Sequence, residues 1–268
     1  GQVNPYTGVY ETFFIDDDLP MPTGILVEES RNRLLVVCGD FGYSRTSVGF
    51  AQSAYLGVYN LETGAKIAGV DFKALFAPDS QSFTSEIAVD DNGDIYVTES
   101  KGTYIYKVDG TTYEASIFLD GGTDFEPVSP IFFGLNGIVF IDDYLVVGKT
   151  DEGLLFKVPL ANPTNYTTIQ APLFVGSDGL ELTNNGDILL VETGLGNNHA
   201  GTQLLRSTDD WVTASVLETT DIPAEEFPTS SGLASDGSLY VLTSNSTQIN
   251  VGNFNHENFN IYKVTPTQ

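Results

Sequence analysis

Apolar and polar residues alternate with period two through most of the chain, in paired runs that flank a tight turn built from acids, Asn and Gly. TSEIAVDDNGDIYVTES (84–100) and SDGLELTNNGDILLVETG (177–194) show the pattern most fully, and PTGILVEESRNRLLVVCGD (22–40), LNGIVFIDDYLVVGKT (135–150) and SSGLASDGSLYVLTS (230–244) repeat it. Period-two alternation marks a strand with two distinct faces, and Asn92-Gly93, Asn185-Gly186 and Asp236-Gly237 suit the positive φ angles of two-residue hairpins. Each repeat therefore predicts a β-hairpin.

A third strand follows every hairpin: YLGVYNL (55–61), TYIYKVD (103–109), GLLFKVPL (153–160), TQLLRST (202–208) and FNIYKVT (259–265). Four repeats add a fourth strand, AKIAGVDF (65–72), YEASIFL (113–119), NYTTIQ (165–170) and VTASVLE (212–218), whereas the fifth ends near the C-terminus without one. VYETFFI (9–15) precedes the first hairpin and is free to join the last unit, closing a ring. The expectation is an all-β fold, one β-propeller domain over 1–268 with five four-stranded antiparallel blades of about fifty residues each. A sixth blade is the alternative. No segment of ten or more residues holds a 3.6-residue period with caps, which argues against βα units.

In a propeller the hairpin turns lie on one face, and the second-to-third loops and blade crossings lie on the other. The long segments 39–54, 73–83, 120–134, 193–201, 219–229 and 244–258 all belong to that second face. Long loops over a rigid scaffold are where binding residues gather, so the channel mouth on that face is the candidate site. Aligning the repeats puts Thr23, Ser85, Asn136, Asp178 and Ser231 at equivalent positions there, each at the start of an innermost strand. Converging oxygens suit a hard cation such as Ca²⁺. Small polar residues also begin strands and bond the local backbone, a reading that fits Thr23, Ser85 and Ser231. For Asn136 and Asp178 both readings stay open.

The motifs LNGIVF and SDGLELTNNGDILLVE resemble the third and fourth ligand segments of the senescence-marker-protein and gluconolactonase-like propellers, a superfamily that includes strictosidine synthase-like and calcium-dependent phosphotriesterase-type members. The resemblance implies a channel Ca²⁺ held by a Glu, two Asn and an Asp, polarising a lactone or ester carbonyl or a phosphoryl group. Asn136 and Asp178 match two of those ligands. Thr23, in Pro-Thr-Gly, stands where the family has a glutamate, and Ser85 where it has a second asparagine, with Glu86 next to it as a substitute carboxylate. Strand alternation points Glu86 away from its neighbour's direction. The family normally has six blades.

Chemistry elsewhere is sparse. The only histidines, His199 and His256, both fall in loops of the same face and are candidate general bases beside Asp178. The loops 39–55 and 124–134 bring Phe41, Tyr43, Arg45, Phe50, Phe125, Phe132 and Phe133 over it, with Tyr43, Arg45 and Phe132 as candidate ligand contacts. Aromatic residues also pin long loops, and the two readings stay open. No phosphate-cradling, zincin or nucleophile-elbow motif is present. The turns NGD and DGS lack the array of a calcium-binding helix-loop-helix. Glu181 reads as an interblade or solvent contact.

Charge narrows the partners. With 36 acidic against 11 basic residues the net charge is −25, which disfavours nucleic acid and anionic membrane surfaces. A single cysteine, Cys38, excludes an intrachain disulfide, and no apolar run is long enough to span a bilayer. The start carries no basic-then-apolar leader, while the sequons at Asn165 and Asn245 lean toward a secreted protein. Three classes of function remain: a metal-assisted hydrolase of lactones or esters, a propeller that binds or cyclises an organic ligand without hydrolysis, and an extracellular interaction module.

Overall fold

In the computed structural model, which describes residues 1–4, 7–42, 47–76, 80–195, 198–245 and 259–265, the paired runs form five antiparallel blades. A short hairpin of β1 (Gln2–Val3) and β2 (Tyr10–Glu11) precedes them. Blade 1 is β3 (Pro22–Glu28), β4 (Arg33–Cys38), β5 (Tyr55–Asn60) and β6 (Lys66–Asp71). Blade 2 is β7 (Thr84–Val89), β8 (Ile95–Glu99), β9 (Tyr104–Val108) and β10 (Ala115–Asp120), and blade 3 is β11 (Leu135–Ile141), β12 (Tyr144–Lys149), β13 (Leu154–Pro159) and β14 (Thr167–Thr168). Blade 4 is β15 (Ser177–Leu182), β16 (Ile188–Thr193), β17 (Ala200–Arg206) and β18 (Ser215–Asp221). Blade 5 is β19 (Pro228–Leu233), β20 (Leu239–Thr243) and β21 (Ile261–Val264). The outermost strand of blade 3 is far shorter than 165–170 because the 3₁₀ turn Pro163–Asn165 takes the start of that segment.

The second strands RLLVVC, YLVVGK and ILLVET are covered on both sides and are buried along their whole length. Their alternate residues feed two different interblade cores. Leu35 and Val37 pack with Ile87 and Val97 between blades 1 and 2, and Tyr96 and Ile105 pack with Ile138 and Leu145 between blades 2 and 3. Val146 and Leu180 join Ile188 and Leu190 between blades 3 and 4, and Val191 joins Val241 and Val264 between blades 4 and 5. The remaining side of blade 1, with Leu34, Val36, Cys38 and Tyr59, is covered by Phe13, Phe14 and Leu19 of the N-terminal segment. Phe14 stacks on Tyr59 with ring centroids 4.3 Å apart, and the Tyr59 hydroxyl donates to Asp16 over 2.8 Å.

The N-terminal segment thus reaches the last junction of the ring but lies on blade 1. Tyr10 and Glu11 pair with Val3 and Gln2, and among the described residues no ladder joins 9–15 to β21, so blade 5 has three strands there. The aromatic pair Phe13–Phe14 explains the difference, because burial on the apolar face of blade 1 competes with edge pairing to blade 5. Among the described residues helix is confined to short 3₁₀ turns, and none is long and apolar enough to cross a membrane.

On the hairpin face, blades 1 and 2 are fastened by charge. Arg33, buried at the start of β4, donates Nε to Glu28 over 2.6 Å, Nη1 to the Gly110 carbonyl over 3.0 Å and Nη2 to the Gly93 carbonyl over 3.0 Å. Gly93 accepts this approach with φ at 90°, the left-handed conformation its turn requires.

Candidate functional site

Every innermost strand carries a β-bulge near its start. The register shifts between Pro22 and Gly24, Thr84 and Ile87, Leu135 and Ile138, Ser177 and Leu180, and Pro228 and Ser230. A bulge breaks the alternation of side chains and re-aims the residues inside it. Asn136 and Asp178 both lie in bulges of adjacent blades, and the Asn136 side chain favours the charged form of the Asp178 carboxyl.

Glu86 also sits in a bulge, at the one repeat position where the other four copies have glycine. Its carboxylate turns inward. Ser230 Oγ of blade 5 donates to Glu86 Oε1 over 3.3 Å, and a Cβ added at Gly24 would stand 2.9 Å from Oε2. Burial, then the like charges of Asp178 and Glu181, push the Glu86 carboxyl up to about 8. Burial pushes Asp178 up to about 7 and Glu181 to about 7, the latter despite a hydrogen bond to its carboxylate from the Leu233 backbone. All three residues are half-buried. Three carboxylates from two blades share a field that favours their neutral forms.

The other aligned positions behave differently. Thr23 Oγ1 donates to the Thr84 carbonyl over 2.7 Å, acting as a strut between blades 1 and 2. Ser85 is buried with its hydroxyl 2.6 Å from that of Ser100. Ser231 follows the blade 5 bulge, pairs regularly with Val241, and leaves its buried hydroxyl without a hydrogen-bond partner. Among the described residues no three His, Cys, Asp or Glu side chains come close enough to hold a metal ion.

His199 stands over the outer part of blade 4. Its Nδ1 lies 2.9 Å from Oε2 of the buried Glu192 and its Nε2 3.2 Å from Oδ1 of Asp221, and Gln203 Nε2 also donates to Glu192 over 2.9 Å. These partners come from β16, β17 and β18, and none of them is a channel carboxylate. His256, Tyr43 and Arg45 lie outside the described residues.

The loop aromatics are largely occupied with one another. Phe41 packs against Phe83 at 4.7 Å and Phe133 at 5.6 Å, and Lys101 Nζ lies 4.1 Å from the Phe133 ring centre. Lys101 Nζ further donates to the Pro130 carbonyl over 2.9 Å and the Phe132 carbonyl over 2.6 Å, while the Phe132 ring is half exposed. This lysine ties the crossing between blades 2 and 3 to the end of β8. Burial holds its ammonium below the ordinary lysine range.

Ser230 and Glu181 were not singled out by the repeat alignment as site residues. For Ser230 the signal is the first serine of SSGL, which becomes readable only once the bulge of blade 5 is known to fall at Thr229. For Glu181 it is a carboxylate set between Leu180 and Leu182 on an innermost strand.

No protein-family model and no curated protein matches the chain. Solved structures match in fold. The allergen Mala s 1 of Malassezia sympodialis superposes with a TM-score of 0.62 at 17% identity, covering 90% of this chain and 77% of that one. A protein from Bacteroides uniformis, provisionally named a 6-phosphogluconolactonase, superposes with a TM-score of 0.59 at 14% identity over 92% of this chain and 69% of that one. A streptogramin B lyase superposes with a TM-score of 0.57 at 14% identity over 96% and 73%. At these identities the likeness shows a β-propeller.

Proposed function

We propose that the protein acts on a small organic molecule at the loop-face mouth of its channel, by hydrolysis of a lactone or ester bond. The observation that carries this reading is the pairing of Glu86 and Asp178 in one field, with carboxyls raised to about 8 and about 7. Carboxyls that exchange protons near neutrality are suited to general acid and base work. Asp178, oriented by Asn136, takes a proton from water as its oxygen attacks the carbonyl carbon. The acyl C–O bond then breaks, and Glu86 gives its proton to the leaving oxygen.

The donor set also fits a hard cation in chemistry. Glu86, Asp178 and Asn136 offer only oxygens, the carboxylates repel one another, and the Ser231 hydroxyl nearby on blade 5 has no partner. These residues would hold Ca²⁺, which would polarise a carbonyl. The fold neighbours named as a streptogramin B lyase and, provisionally, a lactonase support a small-molecule ligand.

A second reading, ligand binding without turnover, is favoured by Thr23 and Ser85, whose hydroxyls are engaged by protein groups instead of facing a ligand. One experiment separates the two. The purified protein is assayed against a panel of lactones and aryl esters, with calcium and with chelator, alongside Asp178→Asn and Glu86→Gln. Turnover lost in both variants supports the hydrolase; turnover undiminished in Asp178→Asn, or absent throughout, removes it.

A further inference from the structure

Every second strand carries the same repeat position opposite the first residue of its innermost strand, and in all five blades that position is buried: Cys38, Glu99, Lys149, Glu192 and Thr243. The two glutamates are closed by protein groups. Glu99 accepts from Ser82, Tyr106 and the Phe83 and Lys101 amides, and Glu192 accepts from Gln203 beside His199. Lys149 is the one cation of the series, and its surroundings differ.

An ammonium carries three N–H donors, and among the described residues Lys149 Nζ donates to Glu152 alone. The next carboxylate is Asp151, whose Oδ1 lies 3.8 Å from Lys149 Nζ, beyond hydrogen-bond reach. Asp151 Oδ2 accepts from the Val128 amide over 2.7 Å, but Oδ1 has no hydrogen-bond partner. Both side chains are 1% exposed, and a buried polar atom left unpaired is costly.

Lys149 also forms part of the wall of a cleft of about 530 Å³ between blades 2 and 3 on the loop face, a volume in the range of small-molecule sites. The crossing segment 126–130 lines the cleft too. It is fixed to both blades, by Lys101 Nζ on the Pro130 carbonyl and by Asp151 on the Val128 amide. Glu86, Asn136 and Asp178 are not among the lining residues, so the cleft is separate from the channel site.

We propose that this cleft binds a neutral sugar, with one sugar hydroxyl bridging Lys149 Nζ and Asp151 Oδ1. The group that completes this pair must accept from the ammonium and donate to the carboxylate at once. A hydroxyl does both, whereas a carbonyl or ionised phosphate oxygen only accepts and an ammonium only donates. Gln81, Glu126 and Ser129 add donors and acceptors for neighbouring hydroxyls, and Pro127 and Pro130 offer apolar surface to the C–H face of a pyranose ring. Charge selects within the class. The ammonium groups of Lys101 and Lys149 are already matched by Glu126, Glu152 and the adjacent Asp151, so a sugar phosphate or sugar acid brings uncompensated negative charge to a chain of net charge −25.

Isothermal titration and ligand-observed NMR on the full chain test this, with glucose, galactose and mannose against glucose 6-phosphate, glucuronate and glycine as charged probes. The expected result is binding of at least one neutral sugar, with every charged probe at least about tenfold weaker. Asp151→Asn keeps an acceptor for the Val128 amide but turns an N–H toward Lys149, and Val128→Arg fills the cleft from a position that is 59% exposed. Each should weaken the sugar at least about tenfold, while Leu217→Arg, on the exposed side of β18, leaves it unchanged. Absence of neutral-sugar binding, a preference for a charged probe, or binding indifferent to both cleft variants overturns the proposal. Binding lost in Asp178→Asn but kept in Asp151→Asn also overturns it, because the sugar then sits in the channel.

Discussion

Ser230 Oγ donates to Glu86 Oε1 over 3.3 Å, linking blade 5 to blade 2 across the channel without passing through blade 1. The glutamate it reaches occupies a repeat position that is glycine in every other blade, and it feels Asp178 and Glu181 of blade 4 as like charges. One residue thus couples three blades, and its protonation couples them to pH.

Stability should fall as pH rises from about 4.5 to about 8. Glu86 goes from an ordinary 4.5 to about 8 on folding, and Asp178 from 3.8 to about 7, so between those values the folded state binds more protons than the unfolded one. Their contribution is fully present below the unfolded values and is lost as pH climbs through the folded ones. Glu86→Gln, which cannot ionise, should match the parent near pH 4 and exceed it by on the order of 1–3 kcal/mol at pH 8.5. Urea melts across that range check the sign; a parent that gains stability over it would refute the reading.

Alanine at two repeat glycines should have opposite consequences. A Cβ at Gly137 collides with the Asp178 carbonyl of the neighbouring strand, whereas at Gly232 it enters open space. Gly137→Ala should cost about 2 kcal/mol or more, and Gly232→Ala should stay within about 0.5 kcal/mol of the parent. Equal effects in chemical denaturation would contradict the difference in packing around the two glycines.

Arg33→Ala should be among the most damaging single changes on the hairpin face. It leaves Glu28, itself 8% exposed, with only the surface residue Arg31 as counter-charge, and it orphans two carbonyls of blade 2. A loss of about 3–5 kcal/mol is expected. The measurement is the unfolding midpoint in guanidinium, and a shift below about 1 kcal/mol would show that the ion pair is dispensable.

Thr23→Val separates a structural hydroxyl from a ligand. The Thr23 hydroxyl donates to the Thr84 carbonyl, so its removal should cost about 1–2 kcal/mol of stability while leaving channel chemistry intact. Turnover lost with stability unchanged would instead place Thr23 among the groups that touch the ligand.

Blade number and strand order are legible in the sequence because a sheet buried on both sides needs apolar residues in every register, and the glycine turns punctuate them. The site is legible only in part. Asn136 and Asp178 stand out because the repeats align. Glu86 is misdirected by simple alternation, which the bulge between Thr84 and Ile87 overrides. The N-terminal segment is misread for another reason. Its pattern fits an edge strand, but Phe13 and Phe14 gain more from burial against Leu34, Val36 and Tyr59 than an exposed edge offers. Burial by a neighbour remote in sequence is invisible to any local period.

The junction between blades 5 and 1, which no apolar cluster of the described residues spans, also changes how the fold resists unfolding. In a closed circle each blade is held on two sides, so none can leave without breaking two contacts at once. Among the described residues the apolar cores run from blade 1 to blade 5 as a line with two ends, and the energetics approach those of a linear array. Blade 5, with three strands and one apolar neighbour, is then the terminus from which fraying begins, and amide exchange should quicken from the middle blades toward it.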